Sequence, residues 1–364
     1  MRPGLPRCAL LLAALLCTLP LLAAPPPAEK PLVWRGDITT ARSVMHDLAR
    51  AWHRAGHPEI KLEPFSTISG IDATIAGSAD FAGSARAAFA KRDKESALVF
   101  TPVAWDALVM IVHRHNPVRD VSLSQLHDIY YGKITNWKAL GGPDLPINLY
   151  SVASPLDGVE FSLRKYLFRR GNQPVASPRL YINTSQLEAA VAIDPAGLGV
   201  STLSGVEDNS QLAMLSVQGV RPSLEHVADG SYPLYQPLYL VTPVDGPKVA
   251  ETGAFVQFAT SDAGRKLIAA HHLLPWDGNA PLAGNLERHL ASVQDRSAPR
   301  LSGPVAAPGA TFASRAAVAP TSELTLKARQ ELADKRSREA ASAEAKARNI
   351  GKTTTPVPAP ATSG

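Results

Sequence analysis

The chain's 364 residues suffice for two domains of ordinary size, and after the N-terminus no apolar run reaches the roughly 18 residues that a spanning helix needs. The formal net charge of +5 is concentrated at the C-terminal end: residues 285–364 carry 12 Lys and Arg against 7 Asp and Glu, whereas residues 1–284 carry 25 of each. A charge-balanced folded part has no nucleic-acid footprint, so no nucleic acid is expected as a partner.

Residues 1–24 read as a secretory signal peptide. Arg2 and Arg7 flank its start, residues 8–22 are almost wholly apolar, and Ala23-Ala24 offers a small-residue cleavage site before Pro25. Cys17 follows Leu16 rather than a small residue, which argues against a lipid anchor. Cys8 and Cys17 are the chain's two cysteines and both fall inside the signal. The mature protein is therefore expected to be secreted, in the periplasm, and to fold without disulfides.

Residues 31–35 predict a strand, followed by a helix over 41–53 with Val44, Leu48 and Trp52 on one face and Thr39 or Thr40 as N-cap. Residues 60–64 predict a second strand, 71–76 a short helix ended by Gly77, and 80–83 a third strand. Strand and helix in alternation argue for a mostly parallel sheet with helices on its faces. In such sheets ligands bind outside the carboxyl ends of the strands, where helix starts present unpaired N–H groups and a positive dipole end to an anion. The stretch 65–86 has this character: Ser66, Thr67, Ser69 and Gly70 before a helical run, then Ser84-Ala85-Arg86 after a short strand.

The apolar run 107–113 predicts a strand buried on both faces, and it is read as the crossing into a second lobe. A short helix follows, capped by Ser122 or Ser124 and stopped by Gly132, with Leu126, Ile129 and Tyr130 inward. Further helices are expected over 160–168, 185–193, 253–260 and 262–271, the last capped by Ser261, with residues 235–243 as the return crossing. From about Leu286 the composition shifts to Pro, Ala, Ser and mixed charges, so 285–364 is expected to be a disordered basic tail, with a tail partner as its functional alternative.

The order Leu-Ser-Gln-Leu-His-Asp-Ile-Tyr-Tyr-Gly-Lys-Ile-Thr-Asn-Trp-Lys-Ala-Leu-Gly-Gly, from Leu123 to Gly142, resembles a motif of the phosphate-type periplasmic solute-binding proteins that serve ABC importers. Pro195-Ala-Gly-Leu-Gly-Val200 and the stretches 219–223 and 227–239 extend the likeness over about residues 31–280. The resemblance implies an α/β, two-lobed periplasmic binding protein type II fold with mixed, mostly parallel sheets and a cleft between lobes. Lobe I is expected over 31–106 plus 235–284 and lobe II over 107–234. It further implies a monomer that binds a small oxyanion, phosphate as the candidate, and is read by an ABC permease in the inner membrane.

In that family three turns hold the phosphate. Mapped residue by residue, they imply ligand contacts from Asp37, Thr39, Thr40, Thr67, Ser69, Gly70, Ser84, Arg86, Asp157 and Gly158. The match is partial. The third turn usually reads Arg-Asp-x-x-Ser-Gly-Thr, whereas residues 153–159 read Ala-Ser-Pro-Leu-Asp-Gly-Val, which keeps the glycine and loses the arginine and both hydroxyls. Three or four lost donors would cost on the order of 5–10 kcal/mol of binding. Asp37 and Asp157 would also repel an anion unless they accept its proton. Two readings follow: a binding protein for import in which Arg86 is the leading anion contact, or a phosphate-binding-like scaffold that has lost tight phosphate binding and acts in interaction or sensing.

No nucleophile elbow, phosphate-gripping lysine loop or zinc-protease helix occurs in the sequence, and Ser84 has no evident base partner. No enzymatic activity and no cofactor are expected. The pairs His113/His115 and His271/His272 lack a carboxylate or cysteine cluster beside them, so no metal site is expected.

Overall fold

The structure, a computed structural model, describes residues 30–277 and 281–297, with isolated helical positions between 330 and 342. The signal at 1–24 and nearly all of the chain beyond 297 lie outside the described residues.

β1 (Leu32–Asp37) runs directly into α1 (Ile38–Thr40), a π-helical turn Ala41–Met45, and α2 (His46–Arg54). The helix starts earlier than the sequence suggests because Asp37, not Thr39 or Thr40, caps it: Thr40 N donates to Asp37 Oδ1 at 2.9 Å. β2 (Ile60–Phe65) is followed by α3 (Thr67–Ile75) and β3 (Phe81–Ser84). The hydroxyl-rich turn before Ile71 is itself the first turn of α3, with Ser66 accepting from Ser69 N. Gly70 makes this possible, since a Cβ there would stand 2.3 Å from Arg35 O, so only glycine lets α3 lie this close to β1.

β4 (Leu98–His113) is more than twice as long as the expected apolar run 107–113. After β5 (Asp120–Val121) comes α4 (Leu123–Tyr131), closed by a Ser122/Gln125 capping box and by Gly132 in the left-handed region. Then follow β6 (Asn148–Val152), α5 (Gly158–Phe168), β7 (Arg179–Tyr181), α6 (Thr184–Val191), β8 (Gly197–Thr202), α7 (Leu203–Val206), β9 (Leu212–Met214), β10 (Ser216–Val217) and α8 (Leu224–Ala228). β11 (Tyr235–Pro243) returns, and α9 (Val249–Thr260), α10 (Asp262–Ala269, capped by Ser261), β12 (Leu274–Pro275) and α11 (Pro281–Ser297) complete the described chain.

One mixed sheet of ten strands runs through the molecule, with the central path β2-β1-β3-β11-β4-β8-β6-β7. Its flanks are parallel, β2-β1-β3 on one side and β8-β6-β7 on the other, and the crossing strands β4 and β11 pair antiparallel in the middle. β4 changes partner between Ala107, opposite Tyr235 of β11, and Leu108, opposite Thr202 of β8. A strand shared by two lobes has no solvent face, which is why residues 107–112 are fully buried.

Residues 285–297 were expected to begin the disordered tail, but they belong to α11, which packs on α4 and α5. Leu290 and Val293 are buried, His289 stacks on Tyr235 at 4.4 Å, and Gln294 Nε2 donates to Lys165 O at 2.9 Å. Leu282, Leu286, Leu290 and Val293 recur at helical spacing, a periodicity masked by the Pro/Ala-rich composition that follows.

Candidate functional site

Because β1, β2 and β3 are parallel and in register, their carboxyl ends stand side by side, with Asp37 opposite Phe65 and Gly36 opposite Gly83. The loop after β6 and the start of α5 reach the same place from the second lobe. There Asp157 Oδ1 accepts from Thr67 N, the first amide of α3, at 2.9 Å, and from Gly158 N at 3.1 Å. Gly158 lets the approach be this close: a Cβ on it would lie 2.6 Å from Thr67 Oγ1 and 2.7 Å from Ala85 Cβ.

Asp37 and Asp157 are both buried, at 6% and 3% exposure. Burial raises the Asp37 carboxyl above the usual range, against the hydrogen bonds from Thr40. Burial, and after it the charge of Asp37, pushes Asp157 up to about 7. Each carboxylate already accepts a helix-start amide, so the positive ends of α1 and α3 are occupied by acids of this chain.

Arg86 stands differently from its expected role as the leading anion contact. Its Nη1 and Nη2 hold the two oxygens of Glu95 at 2.9 and 2.7 Å, Nε donates to Leu156 O at 3.0 Å, and Nη1 also reaches Ala87 O. Four of the five guanidinium N–H groups are thereby used within the chain. Burial works against the charged form of Glu95, but its bonds from Arg86 and Phe89 N hold its carboxyl below the usual range overall. Glu95 lies in a 3-10 turn nine positions downstream, and no local motif marks it as a partner. A cavity of about 350 Å³ has Arg86, Phe89, Phe161 and Gln236 in its wall, whereas Asp37, Thr39, Thr67 and Asp157 do not border it.

The remaining candidates divide by surroundings. Thr67 Oγ1 accepts from Ala85 N, and Ser84 Oγ bridges the N and O of Arg86. Thr40 Oγ1 bonds Asp37. Ser69 Oγ accepts from Arg35 Nε of β1, and Gly70 serves packing. Thr39 Oγ1 is buried without a hydrogen-bond partner among the described residues. Besides the Arg86 Nε bond to Leu156 O, two further bridges join the lobes through residues that were not legible as site residues: Ser162 Oγ to Ala85 O, and Arg42 to Glu188 at 3.1 Å, with Glu188 also accepting from Ser201 Oγ. Of the histidine pairs, His271 lies on Asp47 and His272 on Glu207.

Two lobes on a shared strand pair, with helix starts from both meeting at strand carboxyl ends, are the architecture of a two-lobed solute-binding protein. The chain belongs to the PBP superfamily: the model of the PBP superfamily domain matches residues 37–263. It is similar to the protein SphX of Synechococcus elongatus, 28% identical over 187 residues, which are 48% of this chain and 55% of that protein. It is also similar to the phosphate-binding protein PstS of Bacillus subtilis, 32% identical over 139 residues, 38% of this chain and 45% of that one. The chain thus spans about half the length of these curated relatives. Among solved structures, a phosphate ABC transporter substrate-binding protein from Clostridium perfringens with bound phosphate aligns at a TM-score of 0.61 and 26% identity, over 68% of this chain and 100% of that one. An ABC-type phosphate transport receptor from Vibrio cholerae shares the fold at a TM-score of 0.53 and 23% identity, over 67% of this chain and 99% of that one.

Proposed function

We propose that this is a secreted, periplasmic binding protein that takes up a small oxyanion, phosphate first, between lobes 31–106 plus 235–284 and 107–234, and presents the closed form to an ABC permease. The observation that carries the reading is the convergence of the strand ends at Asp37, Thr67, Ser84 and Asp157, two of which open onto helices of the first lobe and one onto α5 of the second. Thr39 Oγ1 is the donor left over for a ligand. Ligand binding would act through differential affinity for the arrangements of the two lobes, without chemistry. The phosphate-binding relatives and the absence, among the described residues, of any helix long and apolar enough to cross a membrane support the same reading.

Calorimetric titration with phosphate at pH 5.5 and pH 8 tests it. Binding is expected to be weak at pH 8 and tighter at pH 5.5, where Asp157, pushed up to about 7, loses its charge, and Thr39→Val is expected to weaken it. No heat and no thermal shift with phosphate at either pH would remove phosphate as the ligand. The second reading, a scaffold that has lost tight phosphate binding and acts in interaction or sensing, is favoured by Asp157 sitting on the Thr67 amide. Truncation after Ser297 separates the two, because an importer subunit keeps its function whereas a tethered partner protein loses its localisation.

A further inference from the structure

We propose that the carboxylate of Asp157 is a built-in substitute for the ligand anion, so that this side chain closes the two lobes on each other and must give way before an outside anion enters. The inference rests on the reading of the cleft as an oxyanion site and specifies how that site is regulated. It starts from position. Asp157 belongs to the loop of the second lobe, yet its Oδ1 is seated on Thr67 N, the leading amide of a nine-residue helix of the first lobe. An unpaired amide at a helix start is where an incoming oxyanion is held, and here a carboxylate oxygen has that place at 2.9 Å.

Packing beside it is tight. The start of α5 is pressed so tightly on the first lobe that a single methyl on Gly158 would collide with Thr67 and Ala85. Ser162 Oγ to Ala85 O at 3.1 Å and Arg86 Nε to Leu156 O at 3.0 Å hold α5 and its loop in the same closed relation. The guanidinium of Arg86 is spent on Glu95, so it does not offset a doubly charged guest next to Asp37 and Asp157. Where the resembled family has a serine before the glycine of the third turn, this chain has Asp157. One substitution therefore exchanges a neutral ligand donor for an anion of the ligand's own charge type.

The test compares the wild-type protein with Asp157→Ser and Asp157→Asn by small-angle X-ray scattering without ligand and by calorimetric titration with inorganic phosphate at pH 8. Asp157→Ser is expected to enlarge the ligand-free radius of gyration, to contract when phosphate is added, and to bind phosphate at least about tenfold more tightly than wild type, a difference of about 1.4 kcal/mol. Wild type is expected to scatter as the closed form with or without phosphate. Asp157→Asn keeps an oxygen for Thr67 N but removes the charge; it is expected to stay closed and still gain affinity, and it carries the test if the serine variant does not fold. Unchanged scattering and unchanged affinity in both variants would overturn the proposal. Opening of Asp157→Ser without phosphate uptake would support Asp157 as the closing group and overturn the phosphate reading of the site.

Discussion

The cleft buries charge in two contrasting ways, a few residues apart. On one side Arg86 meets Glu95 through paired hydrogen bonds, with both side chains at or below 2% exposure. On the other, Asp37 and Asp157 stand as two acids with no cation between them, satisfied by the amides of Thr40, Thr67 and Gly158. A buried pair of opposite charges is complete in itself and asks nothing of solvent or ligand. A pair of like charges is complete only with a proton or a guest, so burial raises both acids, whereas Glu95, with burial also working against its charge, is held below the usual range overall by its bonds from Arg86 and Phe89 N. The first pair belongs to the architecture of the protein, and the second is where we propose that ligand, pH and closure meet.

Breaking the compensated pair should have the largest effect. Glu95→Ala leaves Arg86 buried and unpaired, and a loss of about 3–5 kcal/mol in urea unfolding is expected. A loss below about 1 kcal/mol would mean that Arg86 finds other partners and that the contrast between the two sides is false.

Titrating the uncompensated pair should come next. Asp157 has a folded-state pKa of about 7 against an ordinary value of 3.8. The folded state therefore binds the proton more tightly, and the stability this contributes is fully present below about pH 3.8 and lost as pH rises through about 7. The groups that act on Asp157 are the like charges Asp37 and Glu160, and Asp37 shifts in the same direction. Unfolding followed from pH 4 to pH 8 should show a decline on the order of 3 kcal/mol from Asp157, and Asp157→Asn should flatten it. A profile for Asp157→Asn as steep as the wild type would place the titrating groups elsewhere, Asp106 among them, whose carboxyl burial also pushes up to about 7.

The smallest expected effect comes from the contact that presses the two sides together. Gly158→Ala should destabilise by about 1–3 kcal/mol through overpacking against Thr67 and Ala85. Its scattering profile should shift toward the open form. A variant as stable and as closed as wild type would show that α5 can retreat without cost.

Much of this was readable from residues alone. Alternating short strands and capped helices over 31–86 and the doubly buried run 107–113 read as an α/β fold, because periodicity and caps are local properties of a chain, and the two-lobed binding-protein fold was implied by the resemblance carried by the motif over 123–142. The strand ends that carry Asp37, Thr67, Ser84 and Asp157 were also identifiable, and the structure does bring them together. That residues 285–297 belong to the fold was not, since α11 is held by packing on α4 and α5 that composition does not display.

What tertiary structure alone decided is the state of the site. Arg86 looked like a cation awaiting an anion until Glu95 folded back onto it, and Asp157 looked like an obstacle to phosphate until it was found on the amide of Thr67, 90 positions away. The physical reason is that the electrostatic character of a buried group depends on what surrounds it, and those surroundings come from distant segments. A sequence specifies which charges a cleft contains; only the folded chain settles which of them cancel.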